Sequence, residues 1–224
     1  MSDNLEKIEL PYFTVSGKPG FDQDGFSDKW MKLGGCGAVT AMESCIYFDI
    51  YFGTRLCPIR LFSSEEDFML RRDISRKDYI YFSRIVKPYL RPRSRGICTT
   101  ELYIDGFEKY IAMAESTSEI DASEKRKHLS MKALSGHESF ETAEAAVRKQ
   151  LSLGYLIPIL ILDHNNPVFD DYIWHWFLIT GHQFIGEHSI IKTVTYGEER
   201  WLDFPSLWDT GFSEKGGLVL FELG

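Results

Sequence analysis

The sequence predicts an α+β protein, a helical N-terminal lobe followed by a lobe built on an antiparallel sheet. Two textures carry this reading. Apolar residues recur at helical spacing up to about residue 115, whereas beyond Gly154 they form continuous or alternating runs. Between them lies a polar, aperiodic stretch, STSEIDASEKRKHLSMKALSGHE (116–138), which reads as a linker. The 224 residues are 44% hydrophobic and 14% aromatic, enough for one domain with lobes at about 25–115 and 139–224.

The first helix is expected at or just after Cys36. Gly34, Gly35 and Gly37 interrupt the chain there, and Val39, Met42, Ile46 and Ile50 recur on one helical face. A second helix is expected within 75–90, where Ser75 and Asp78 form a cap signal, Tyr79, Phe82, Val86 and Tyr89 make the apolar face, and Pro88 and Pro92 end it. The third, over about 100–115, has Thr100 as cap and Tyr103, Phe107, Tyr110 and Ile111 facing inward. SFETAEAAVRKQLSLG (139–154) gives a fourth, with Ser139 as cap, Glu141 and Glu144 in the first turns and Gly154 as stop. YLIPILILD (155–163) and IWHWFLITG (173–181) are continuous apolar runs, as for strands buried on both faces. IIKTVTYG (190–197) alternates and puts Thr193 and Thr195 on one face, and ERWLDF (199–204) and GLVLFEL (217–223) complete a sheet of about five strands.

The charge balance removes several function classes. The net charge is −8 and the pI about 5.3, which argues against nucleic acid as a partner, since phosphate binding needs clustered positive charge. The one basic cluster, Arg84 to Arg95, is short and reads as a solvated loop. The N-terminal MSDNLEKIEL lacks the apolar run of a signal peptide, and YLIPILIL is far too short for a membrane span. Cysteines 36, 45, 57 and 98 show neither a CxxC pair nor metal-ligand spacing. They read as free thiols in a reducing compartment, so a cytoplasmic protein is expected, with no cofactor and no metal. His175, His182 and His188 with Asp163 or His164 match no zinc pattern, and His182 and His188 are expected in a surface loop.

The candidate chemistry lies in GGCGAVTAM (34–42) and DYIWHWFLITGH (171–182). A cysteine at a helix start meets unpaired amides and the positive end of the helix dipole, so its thiol pKa is expected to be lowered. Glycines beside it permit close approach of a substrate and supply amide donors for an oxyanion. A buried structural thiol is the competing reading. His175 opens a strong strand between Trp174 and Trp176 and is a candidate general base; the two tryptophans fall on the opposite strand face, where at least one packs. Nucleophile and base would then come from different lobes.

These parts, in this order, resemble a papain-like cysteine peptidase, most of all the branch of the double-glycine (bacteriocin-processing) peptidase domains. GGCGAVTAM heads a helix, AEAAVRKQLSLGYLIPILIL (143–162) gives a helix and a buried strand, HWFLITG follows, and TVTYGEERWLDFPSLW (193–208) supplies the next hairpin. The resemblance covers about 30–60 and 140–224 and implies Cys36 as nucleophile and His175 as base. It departs from the family at two places. The glutamine expected six residues before the cysteine, which helps build the oxyanion hole, is here Trp30; Gln23 is nearby at the wrong spacing, leaving the hole to the backbone amides of Gly35 and Gly37. The Asn or Asp that orients the histidine is also missing, and Thr195 ranks first in its place, ahead of Thr193 and Asp203. The implied activity is a thiol hydrolase acting on a peptide or small amide, with acyl transfer to an amine available to the same residues. The alternative is a catalytically inactive peptidase-like binding or regulatory module. Residues 60–138 match no part of the resemblance and are the expected substrate-selecting part.

Overall fold

The computed structural model describes residues 7–58, 72–117 and 127–224, and it is a mixed α+β structure. The main sheet has strands β1 (Ile8–Glu9), β5 (Leu129–Ser135), β6 (Ile157–Ile161), β7 (His175–Ile185), β8 (His188–Thr195), β9 (Glu198–Asp203) and β10 (Gly217–Leu223). Their order is β5-β10-β6-β7-β8-β9, with β1 also on β7, and every pairing is antiparallel. A smaller sheet joins β2 (Thr14–Val15), β3 (Lys18–Pro19) and β4 (Asp73–Ile74). The helices are α1 (Lys29–Gly34), α2 (Cys36–Phe52), α3 (Arg76–Val86), α4 (Thr100–Thr117), α5 (Phe140–Ser152) and α6 (Phe204–Trp208). Among the described residues no helix is long and apolar enough to cross a membrane.

The centre of the fold is α2. Every residue from Cys36 to Phe48 is buried, so the helix is covered on all sides and not only on the face that the spacing of Val39, Met42 and Ile46 marks. It ends at Gly53, whose left-handed φ of 68° closes the last turn. Aromatic rings fasten the helices to the sheet. Tyr103 of α4 stacks on Trp176 of β7 at 4.3 Å, and Phe48 of α2 meets Phe221 of β10 at 4.9 Å. Ser75 and Ser139 cap α3 and α5 as expected, accepting from the backbone N–H groups of Asp78 and Thr142. For α4, the side chain that accepts from the first turn is Thr99, bonded to the Leu102 amide, and not Thr100.

The sheet exceeds the expected five strands in two places. Residues 129–135, read from the sequence as part of the polar linker, form β5, paired along its whole length with β10. It lies at the sheet edge, and its one fully buried residue is Leu129, so it carries almost no apolar pattern. The N-terminal β1 pairs with β7 at Ile8↔His182 and Glu9↔Gly181, which ties the first residues to the sheet lobe and mixes the two lobes. Buried Lys192 of β8 holds that arrangement by ion pairs of 2.7 Å to Glu9 and to Glu199. Residues 118–126 of the expected linker, and 60–71 and 118–126 of the expected substrate-selecting part, lie outside the described residues.

Gln150 of α5 completes the sheet where β6 stops. β6 pairs with β10 only at Gly217 and Leu218. Further along, the Gln150 amide donates to the Phe221 carbonyl at 3.0 Å and accepts from the Phe221 N–H at 2.8 Å. Gln150→Ala leaves both buried backbone groups unpaired and is expected to lower stability by about 3 kcal/mol. Urea unfolding checks this; an unchanged midpoint would show that water replaces the side chain.

Candidate functional site

The site forms where the start of α2 meets the start of β7. α1 and α2 share one residue as their boundary: Gly35 ends the first and precedes the second, with φ −88° and ψ 0°. A side chain has no room there, since a Cβ on Gly35 would lie 2.2 Å from the Met31 carbonyl oxygen and one on Gly34 would lie 2.1 Å from that of Arg93. The glycines before Cys36 therefore serve close packing of backbone on backbone. The Gly35 N–H donates to Met31 at 3.0 Å, so it is engaged and offers no oxyanion donor, contrary to the sequence expectation.

Cys36 is buried at the first position of α2, near the backbone amides of Trp176 and Gly37. The loop of residues 93–97 lies over it, close enough that a Cβ on Gly96 would be 4.0 Å from the sulfur. Burial pushes the thiol pKa up, and the amide hydrogen bonds offset only part of that. The lowered pKa expected from the helix-start position is thus opposed by burial: desolvation outweighs the backbone amides.

His175 is buried at the first position of β7. Its Nε2 lies 2.6 Å from the hydroxyl of Thr195, the last residue of β8. Tyr196 stacks on the imidazole at 4.5 Å with planes 5° apart, in a left-handed conformation (φ 53°), and its hydroxyl donates to the Asp171 carbonyl. Burial lowers the His175 pKa to about 4. Nδ1 forms no hydrogen bond among the described residues. When Thr195 accepts from Nε2–H, Nδ1 carries the lone pair and is free to take a proton. Thiol and imidazole are thus both neutral near pH 7.

The other residues named for this site separate. Thr193 donates to the Arg200 carbonyl at 3.1 Å, and Asp203 caps α6, so neither serves His175. Trp30 is 53% exposed on α1 and lines none of the cavities that contain Cys36. Gln23, set aside on its spacing, lines both of them beside Cys36 and His175. It stands in a 3-10 turn, Gln23–Gly25, and its amide donates to the Lys32 carbonyl, so the extra residues of α1 are folded away between it and the cysteine. One amide N–H of Gln23 stays available, because a side-chain NH₂ has two.

Cys36 and His175 share two spaces. A narrow slot of about 10 Å³ runs beside Val39, Thr40, Glu43 and Phe177, room for about one water molecule. An open groove of about 560 Å³ is lined by Gln23, Leu33, Gly34, Ser94–Gly96, Trp174, Tyr196 and Glu214. That volume suits a short peptide segment or a small amide. Trp176 is the tryptophan that packs, its indole N–H bonded to the Ile97 carbonyl at 2.6 Å, while Trp174 walls the groove and bonds Asp163. His182, expected in a surface loop, is buried in β7 and bonded to Ser189 because the strand continues to Ile185. His164 bonds the Ser206 carbonyl and the Asn166 amide. Among the described residues no group of three His, Cys, Asp or Glu side chains could hold a metal ion.

No family model matches this sequence, and neither a curated protein nor a solved structure matches it.

Sequence reasoning missed Glu43, buried two turns along α2 from Cys36. It accepts from Tyr12 at 2.8 Å, from the Phe21 amide at 2.7 Å and from Tyr79 at 3.4 Å. Burial raises its pKa to about 7, so the folded protein holds this proton across pH 4.5–7 where the unfolded chain releases it. Stability from this group is therefore full at acid pH and falls as pH rises through that window, by about 3 kcal/mol. His175 acts in the opposite sense between about 4 and 6.5, so the two effects are separated by difference. Stability of the wild type relative to Glu43→Gln is expected to fall from pH 4.5 to 7.5 in urea unfolding; a constant difference would show that Glu43 is ionised throughout.

Proposed function

We propose that this protein is a thiol hydrolase, a peptidase or amidase with a papain-like arrangement of its parts, working through an acyl-enzyme on Cys36. The observation that carries this reading is the shared groove: Cys36 opens a buried helix, His175 opens a strand, Thr195 holds the imidazole, and one cavity is lined by both reactive side chains. The chain would be a single domain of this kind. Its four cysteines are free, which suits a reducing compartment such as the cytoplasm.

The neutral pair assigns the steps. Cys36 Sγ attacks the acyl carbon while His175 Nδ1 takes the thiol proton, so charge forms only with substrate in place. The oxyanion accepts from the amide at the start of α2 and from the free N–H of Gln23. The C–N bond then breaks, and the imidazolium passes its proton to the leaving amine. Water, deprotonated by His175, attacks the thioester and releases the carboxylic acid and the thiol. Thr195 positions His175, and Tyr196 shields that hydrogen bond from water.

p-Nitrophenyl acetate tests this. A burst of p-nitrophenolate, with an acetyl mass increase on Cys36, is expected for the wild type and not for Cys36→Ala. His175→Ala is expected to slow acylation at least about a hundredfold, and Thr195→Val roughly tenfold. The acid limb of the rate should fall near pH 4, where His175 gains its proton. A wild type that never acylates would favour the binding-module reading, which the raised thiol pKa supports.

A further inference from the structure

The sequence reading treats the arginines before Cys98 as a solvated loop, yet this loop is built into the site. The Arg93 carbonyl packs against Gly34, the Ile97 carbonyl accepts from Trp176, and Ser94–Gly96 wall the groove within contact of Cys36. Its backbone position is thus fixed against the nucleophile. Arg91, Arg93 and Arg95 project from it exposed, and none forms an ion pair with a described residue. This is unexpected in a chain with 33 acidic and 25 basic residues, where acidic partners are in excess.

The groups across the groove make the site polar. Glu214 lines the groove together with Arg95, and Asp22, Asp24 and Asp171 lie around Tyr196. Most of these are engaged: Asp171 with Arg200, Asp24 with Lys32, and Asp22 as the cap of the 3-10 turn. Arg95 lines this groove and continues into a neighbouring cavity of about 410 Å³ that also holds Lys215 and His137 with Glu101 and Glu214, while Arg91 and Arg93 stand exposed on the same loop.

We propose that the loop Arg91–Arg95 is a docking wall for an acidic peptide, with Asp or Glu side chains on one side of the bond placed at Cys36. A guanidinium matches a carboxylate in paired hydrogen bonds, and three on one short loop fit a run of acidic side chains better than a single terminal carboxylate. The acidic residues supply recognition and the groove beside Gly34 and Gly96 takes the reacting segment. As a substrate class this rests on the hydrolase reading; as a docking surface it stands by itself.

The test separates the two. Binding is measured by fluorescence anisotropy on Cys36→Ala, which cannot turn over, with a fluorescein-labelled peptide rich in aspartate and its asparagine counterpart. The aspartate peptide is expected to bind at least about tenfold tighter, to lose that margin in Arg91→Gln/Arg93→Gln/Arg95→Gln, and to weaken as salt rises. Circular dichroism of the triple variant checks that it folds; these side chains are exposed, so single Arg→Gln variants serve if it does not. Equal binding of the two peptides, or an unaffected triple variant, overturns the proposal. So does a single-stranded oligonucleotide that binds more tightly than the aspartate peptide through the same arginines. Acidic-peptide binding without cleavage by the wild type would leave the docking wall standing and count against the hydrolase.

Discussion

The site depends on the placement of one residue, Trp176. Its backbone pairs with Leu160 of β6, its indole N–H bonds the Ile97 carbonyl, and its ring stacks on Tyr103. One side chain thus joins the loop over Cys36, α4 and β7. His175 is the preceding residue, so whatever fixes Trp176 also fixes the imidazole relative to the sulfur. Strand alternation does the rest, turning His175 to the side opposite Trp176 and toward Thr195. The indole hydrogen bond is buried, where an unmade partner costs most.

Burial also sets the electrical character of the site. Desolvation raises the thiol and lowers the imidazole, two shifts that both disfavour an ion pair. The 2.6 Å bond to Thr195 and the stack with Tyr196 keep the imidazole buried, which disfavours its charged form. A threonine hydroxyl, unlike a carboxylate, adds no negative charge to hold an imidazolium. The missing Asn or Asp and the neutral pair are thus consistent with each other.

Much of this was legible in the sequence, and the gaps have physical causes. Long periodic segments such as 139–154, and continuous apolar runs such as 155–163, announce themselves because their burial is one-sided or complete. β5 and β1 escaped because they are edge segments whose pairing is made by backbone, with β5 burying only Leu129 fully and β1 having two residues. Alternation put Thr195 on the face it shares with Thr193; that Thr195 and not Thr193 reaches His175 only the tertiary structure shows. Gln23 was missed because a spacing rule assumes a fixed connection, and α1 folds the intervening residues away. Glu43 looked like an ordinary helical acid; its three hydrogen-bond donors come from Tyr12, Phe21 and Tyr79, which only the tertiary structure brings to it.

The central claim is that Cys36 and His175 form a neutral pair, activated only when substrate arrives. ¹⁵N NMR titration of the His175 imidazole measures it most directly, in the wild type and in Cys36→Ala. The account predicts a pKa near 4 in both proteins, with the proton on Nε2 in the neutral form. An imidazole that stays protonated above pH 7 in the wild type, and loses that proton when the sulfur is removed, would contradict it and establish a resting ion pair.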